Sequence, residues 1–151
     1  VSPVMVNDNV VDLVVTPGEK VGDPAKVRLH PETAYLQLDA DVGTGAKGSA
    51  VTLTLNATGN RVTVRGSVPE GEKPFVRIVP VDGAALFART LFIESLRRHG
   101  VRVTAPLARP AAELPPATAY PDLTRVGAYT SPPFSEAVKV ILKVSHNLYA
   151  S

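Results

Sequence analysis

Apolar and polar residues alternate with a period of two in runs at 10–15, 26–30, 34–39, 51–55, 61–65 and 75–79, all before residue 80. A strand points successive side chains to opposite faces, so each run predicts a strand that buries one face. The clearest runs are Val51, Leu53 and Leu55 interleaved with Thr52 and Thr54, and Val62 and Val64 interleaved with Arg61, Thr63 and Arg65. Turn chemistry separates them: Thr16-Pro17-Gly18, Gly22-Asp23-Pro24, Gly43 through Gly48, Thr58-Gly59-Asn60 and Pro69-Glu70-Gly71. Turns at this spacing predict an antiparallel arrangement, either one covered sheet or a sandwich. No internal repeat is evident.

The pattern changes near residue 80. Asp82 is a candidate N-cap and Gly100 a candidate residue just past a helix C-terminus. Ala85, Ala88, Phe92 and Leu96 give the intervening helix a stripe for the core, and Arg97, Arg98 and His99 suit the negative end of its dipole. A short strand at 101–103 is expected next. Residues 104–133 then hold half of the chain's 14 prolines, namely Pro106, Pro110, Pro115, Pro116, Pro121, Pro132 and Pro133. That density predicts an extended surface connector without regular structure.

With 44% apolar residues, 151 residues suffice for one core or two small ones. Sixteen basic residues against 14 acidic ones leave a net charge of +2 and no single-sign field. Together with the absence of Trp, this argues against nucleic acid as a partner. No run of 18 apolar residues occurs, and residues 1–9 have neither a basic region nor a hydrophobic segment of the kind an export signal needs. Without cysteine there is no disulfide or thiolate metal site.

Three attractive patterns fail on spacing. Residues 43–49 lack the Gly-Lys-Ser/Thr order and following helix of a phosphate loop. His30, His99 and His146 are scattered, with no second ligand two to four residues on along a shared face, so no zinc site is expected. Asp8, Asp12, Asp39 and Asp41 do not fit a calcium loop and are expected to be solvated turn residues. The sequon Asn56-Ala57-Thr58 carries no functional assignment.

The most specific stretch is 131–151, SPPFSEAVKVILKVSHNLYAS. A helix from Ser135 would place Val138, Ile141, Leu142 and Ser145 on one face. Helix chemistry alone reads Asn147 as a left-handed C-terminal cap and Ser145 as bonding back to a carbonyl. The run also resembles the segment around the Ser-x-Asn motif of class C low-molecular-mass penicillin-binding proteins, the D-alanyl-D-alanine carboxypeptidases and endopeptidases. In that family a Ser-Pro-Pro-x-Ser-Glu helix leads into Ser-x-Asn-Leu-Tyr-Ala, and each of these positions has its match here. DNVVDLVVTPG, RVTVRGSVPEG and RRHGVRV are similar, in pattern, to domains that the family inserts between Ser-x-x-Lys and Ser-x-Asn.

The resemblance implies a serine acyl-enzyme mechanism on the D-Ala-D-Ala end of peptidoglycan stem peptides, with β-lactams as a second class of ligand. It implies a proton-relay role for Ser145, and contact of Asn147 with the substrate amide and the base lysine. No metal or organic cofactor is implied, and the location is extracytoplasmic. The nucleophile and base of Ser-x-x-Lys are absent, since no serine is followed by lysine three residues on, and Lys-Thr-Gly is also missing. The chain therefore reads as an internal fragment, inactive without the missing penicillin-binding domain segments.

The expected fold is α+β and β-rich. An antiparallel-sheet or sandwich-like insert is followed by helices, the last belonging to the serine β-lactamase-like domain. The expected division is 1–79 for the β-rich insert, 80–130 for helix, short strand and connector, and 131–151 for the return into the penicillin-binding domain. A non-catalytic β-rich cell-wall binding or adhesion module is the alternative. It requires the tail helix to pack fully within the chain, whereas a fragment would leave Val138, Ile141, Leu142 and Leu148 without a complete home.

Overall fold

The computed structural model describes residues 4–107 and 116–144. The chain forms two compact units, one of Ser2–Ala108 and one comprising Arg109–Ser151 with Val1. In the larger unit, strands β1 (Val10–Thr16), β2 (Lys26–His30), β3 (Gln37–Gly45), β4 (Thr54–Thr58), β5 (Arg61–Pro69) and β6 (Phe75–Pro80) precede helix α1 (Ala84–Arg98). They form two three-stranded sheets, ordered β2-β1-β6 and β3-β5-β4. This is the α+β, β-rich architecture expected.

Both sheets bury their apolar faces in one cluster. Val11, Leu13 and Val15 of β1 are fully buried, as are Val62, Val64 and Val68 of β5, and Phe87 of α1 joins them. The strict alternation along β1 is the sequence pattern made physical. Each such side chain contributes roughly 1.5–3 kcal/mol relative to exposure.

The first sheet is wholly antiparallel, whereas β3 runs parallel to β5 while β4 runs antiparallel to it. Side-chain alternation has the same period in either orientation, so the mixed second sheet was not readable from it. Two strands are also displaced from the sequence reading. β3 lies later than 34–39, because Tyr35 and Leu36 turn into the packing around α1 and the Gly43–Gly45 stretch is held as strand by pairing with Ser67, Val68 and Pro69. β4 starts at Thr54 because Gly66, opposite Leu53, adopts φ 131 and interrupts the ladder. There the backbones approach so closely that a Cβ on Gly66 would lie 1.6 Å from the Thr52 carbonyl oxygen. Thr52 N–H still donates to Ser67 O at 3.0 Å beyond the interruption.

The β1–β2 connection ties the sheets together. Gly18 N–H donates to Thr44 Oγ1 at 2.8 Å, and Thr44 is buried. Ala25 N–H donates to Val42 O at 2.8 Å. A turn is thus docked along the end of β3, with its polar groups satisfied.

Helix α1 departs from expectation at its start and on its buried face. Gly83, with φ 71, is the N-cap in place of Asp82, whose carbonyl instead accepts the Tyr35 hydroxyl. The buried residues are Phe87, Thr90 and Ile93, while Ala85 is exposed and Phe92 is 64% exposed. Phe87 and Phe92 are about 140° apart at roughly 100° per residue. The helix is apolar on several sides, and the face that meets Tyr35, with ring centroids 5.4 Å apart, prevails over a stripe built on alanines. Gly100 takes the expected place: its N–H bonds Arg97 O and Val101 N–H bonds Leu96 O, a Schellman ending.

The strand expected at 101–103 does not form. Residues 103, 105 and 107 are half-buried and 102, 104 and 106 exposed, a strand-like alternation without a partner strand among the described residues. Guanidiniums of α1 take the partner's place: Arg97 donates to Val103 O and Ala105 O, and Arg89 to Pro106 O and Leu107 O.

In the smaller unit, a 3-10 helix occupies Ala117–Asp122 within the proline-rich stretch, and α2 spans Phe134–Val144. Pro121 sits inside the 3-10 helix, whose short run tolerates the lost donor.

Candidate functional site

The Ser131-Pro132-Pro133 sequence halts extended chain directly before α2, and Glu136 N–H donates to Pro133 O at 2.9 Å at the helix start. Ala137, Lys139, Leu142 and Lys143 have high helix propensity, but Val138, Val140, Ile141 and Val144 are β-branched and the helix has only 11 residues, so most of its stability must come from packing its apolar face. Glu136 in the first turn and Lys143 in the last complement the helix dipole, and Lys139 reaches Glu136 at 2.7 Å on the exposed surface. Such an exposed pair contributes little to stability.

Of the expected stripe, Val138 and Ile141 are half-buried and share a face, while Leu142 is 78% exposed. Phe134 is equally exposed, and no side chain described in α2 is fully buried. The candidate residues Ser145 and Asn147 lie outside the described residues, as do His146 and Leu148. The structure therefore brings the chain up to the Ser-x-Asn motif on an amphipathic helix.

The polar groups of the larger unit serve its fold. Asp39 is engaged by Arg65, whose Nη2 contacts both carboxylate oxygens at 3.0 Å, so this carboxylate is a structural partner across β3 and β5. His99 Nδ1 lies 2.8 Å from Ser95 O in the last turn of α1, and His30 is exposed on β2. Residues 43–45 are strand, with Glu70 N–H donating to Gly45 O, so the glycine-rich stretch forms a ladder end. Among the described residues no group of three or more His, Cys, Asp or Glu is placed to hold a metal ion. No described helix is long and apolar enough to cross a membrane.

Two polar features escaped the sequence reading. Tyr35 links the 31–36 loop to α1, and burial, followed by the nearby Asp82 carboxylate, raises its phenol above the ordinary value of 10.0. Glu94 accepts Ala34 N–H on Oε1 at 2.7 Å, while its buried Oε2 has no hydrogen-bond partner among the described residues. Neither has a short-range signal, because the contacts span 47 and 60 residues. A groove of about 380 Å³ opens between β2 and β3 over Val27, Leu29, Leu36 and Leu38, with Arg28 and Glu32 beside it. It contains no nucleophile paired with a base.

The family model for D-Ala-D-Ala carboxypeptidase 3 (S13) matches residues 1–151. A D-alanyl-D-alanine carboxypeptidase of Actinomadura sp. (strain R39) is 34% identical over 143 residues, covering 93% of this chain and 26% of the relative. Two crystal structures of penicillin binding protein 4 from Haemophilus influenzae share the fold. One, complexed with a β-lactam, gives a TM-score of 0.50 at 17% identity and covers 67% of this chain and 24% of the other. The second gives 0.52 at 18% identity, over 67% and 23%. The chain thus spans about a quarter of the length of these proteins.

Proposed function

The chain belongs to the D-Ala-D-Ala carboxypeptidase 3 (S13) family, and on that premise we propose that it is an internal part of a serine-type carboxypeptidase or endopeptidase acting on peptidoglycan peptides outside the cytoplasm. The match of the family model along the whole chain carries this reading. Residues 1 to about 130 form the insert, and 131–151 return the chain to the penicillin-binding domain. The half-covered apolar face of α2 supports that division.

Acyl transfer to serine needs an activated nucleophile, a route for the proton to the leaving amine, and donors for the oxyanion. In the parent protein Ser145 passes the proton among nucleophile, base lysine and leaving amine. Asn147 binds the amide carbonyl of the substrate and the base lysine. Nucleophile and base come from Ser-x-x-Lys and carboxylate recognition from Lys-Thr-Gly. Both lie beyond this chain, which is therefore inactive alone. β-Lactams bind the same assembled site and acylate its serine.

The intact mass of the parent protein with and without benzylpenicillin tests this. A stoichiometric penicilloyl adduct is expected, and Ser145→Ala should slow its formation at least ~10-fold, within the usual range of general acid–base contributions. An unchanged rate in the variant would remove Ser145 from the mechanism. No adduct on the parent would favour the non-catalytic cell-wall binding module, for which the closed core of Ser2–Ala108 would also serve.

A further inference from the structure

The path by which the chain leaves the larger unit is held by two side chains that the proposed chemistry does not use. Arg89 and Arg97 lie eight residues apart on α1, roughly 12 Å along the axis. Arg97 donates from Nε and Nη2 to Val103 O at 3.3 and 3.0 Å, and from Nη2 to Ala105 O at 3.3 Å. Arg89 donates from Nη2 to Pro106 O and from Nε to Leu107 O, both at 3.2 Å. Four extended residues from 103 to 107 cover roughly 13 Å. The spacing of the two guanidiniums therefore matches the length of backbone they hold, and the segment runs back along α1. Ile93, four residues from each arginine, is buried on the same helical face.

A guanidinium presents several donors in a fixed plane and cannot lose its charge at working pH, so it suits multipoint binding of carbonyls where no neighbouring strand is present. The segment has strand-like alternation and no strand partner among the described residues. Without the arginines, its carbonyls would turn to water and its path would be free.

We propose that Arg89 and Arg97 are positioning residues: a two-point clamp that sets the path and register with which the chain leaves the insert towards the connector and the Ser-x-Asn segment. The functional half of this inference rests on the catalytic reading of Ser145, and the clamp itself does not.

The chain has no cysteine, so Thr104→Cys, at an exposed position in the held segment, accepts a single spin label. In the 151-residue chain, Arg89→Gln with Arg97→Gln should sharpen the spectrum of that label and leave a label at Glu19→Cys unchanged. In the parent protein the same pair should slow acylation by benzylpenicillin roughly 10-fold, since small displacements of catalytic groups have effects of up to ~10²-fold. Arg89→Lys with Arg97→Lys keeps the charges but loses the planar fork, and should give intermediate label mobility. It also serves as the test if the glutamine pair fails to fold. An unchanged label spectrum overturns the clamp. A loosened label with an unchanged acylation rate overturns the positioning role. If the unaltered parent is not acylated at all, the catalytic reading fails and the positioning role with it, while the label comparison still decides the clamp.

Discussion

The Ser2–Ala108 unit and α2 solve the same problem of apolar surface in opposite ways. In the first, Val11, Leu13, Val15, Val62, Val64, Val68, Val79 and Phe87 are completely buried in a cluster to which both sheets and α1 contribute. In the second, an equally apolar helix has Phe134 and Leu142 largely exposed and covers Val138 and Ile141 only partly. A closed core signals an element that has all its partners. An amphipathic helix without one signals that partners lie elsewhere, since water-exposed apolar stripes of this kind mark interfaces. The larger unit thus closes its own core, whereas α2 leaves apolar surface open to water, as the proposed division between insert and penicillin-binding domain requires.

The strongest way to break this contrast is to remove Phe87. Phe87→Ala empties the meeting point of α1, Tyr35 and the two sheets. It should destabilise the chain by about 3–5 kcal/mol, measured by urea unfolding. A cost under 1 kcal/mol would mean that the core is not closed. Next in size is Gly66→Ala, expected to cost about 2–4 kcal/mol. The new Cβ meets the Thr52 carbonyl and the backbone must leave φ 131. An unaltered midpoint would show that the crossing of 52 and 66 is loose.

Tyr35 sharpens the comparison on the side of the closed unit. Its phenol titrates higher when folded than when unfolded, because burial and then Asp82 oppose the phenolate. The resulting stabilisation is fully present below pH about 10 and is lost as pH rises through the folded value. Tyr35→Phe removes the bond to the Asp82 carbonyl and should cost about 0.5–1.5 kcal/mol at pH 7. The stability gap between the two proteins should close as pH rises above about 10. A gap independent of pH to the alkaline limit would detach Tyr35 from the titration.

What the alternation made legible was the existence of the strands and the inward face of β1, because a period of two needs no knowledge of partners. What it could not supply were choices made by distant residues. The start of β4 depends on Gly66, the buried face of α1 on Tyr35, and the path of 103–107 on two arginines of the preceding helix. The capping of α1 shows both sides. Gly100 was readable because a Schellman ending is local, whereas Asp82 lost the N-cap position to Gly83 at a site where Tyr35 claims the Asp82 carbonyl. The Ser-x-Asn segment was legible as a resemblance of side chains in order. Ser145, His146 and Asn147 themselves lie outside the described residues.

The smallest expected effect tests the open side of the contrast. Leu142 is 78% exposed on α2, so Leu142→Ser removes little buried area and should shift the stability of the 151-residue chain by no more than about 0.5 kcal/mol. The same change should reduce self-association at high concentration, read by sedimentation velocity, because it takes an apolar group from a water-facing stripe. In the parent protein, where the return into the penicillin-binding domain would cover that face, it should cost about 1.5–3 kcal/mol, the value of a buried leucine. A large loss in the short chain would show that α2 already packs within it and would favour the free-standing module. A small loss in both proteins would leave the exposed face without a partner and would break the link between α2 and the missing domain.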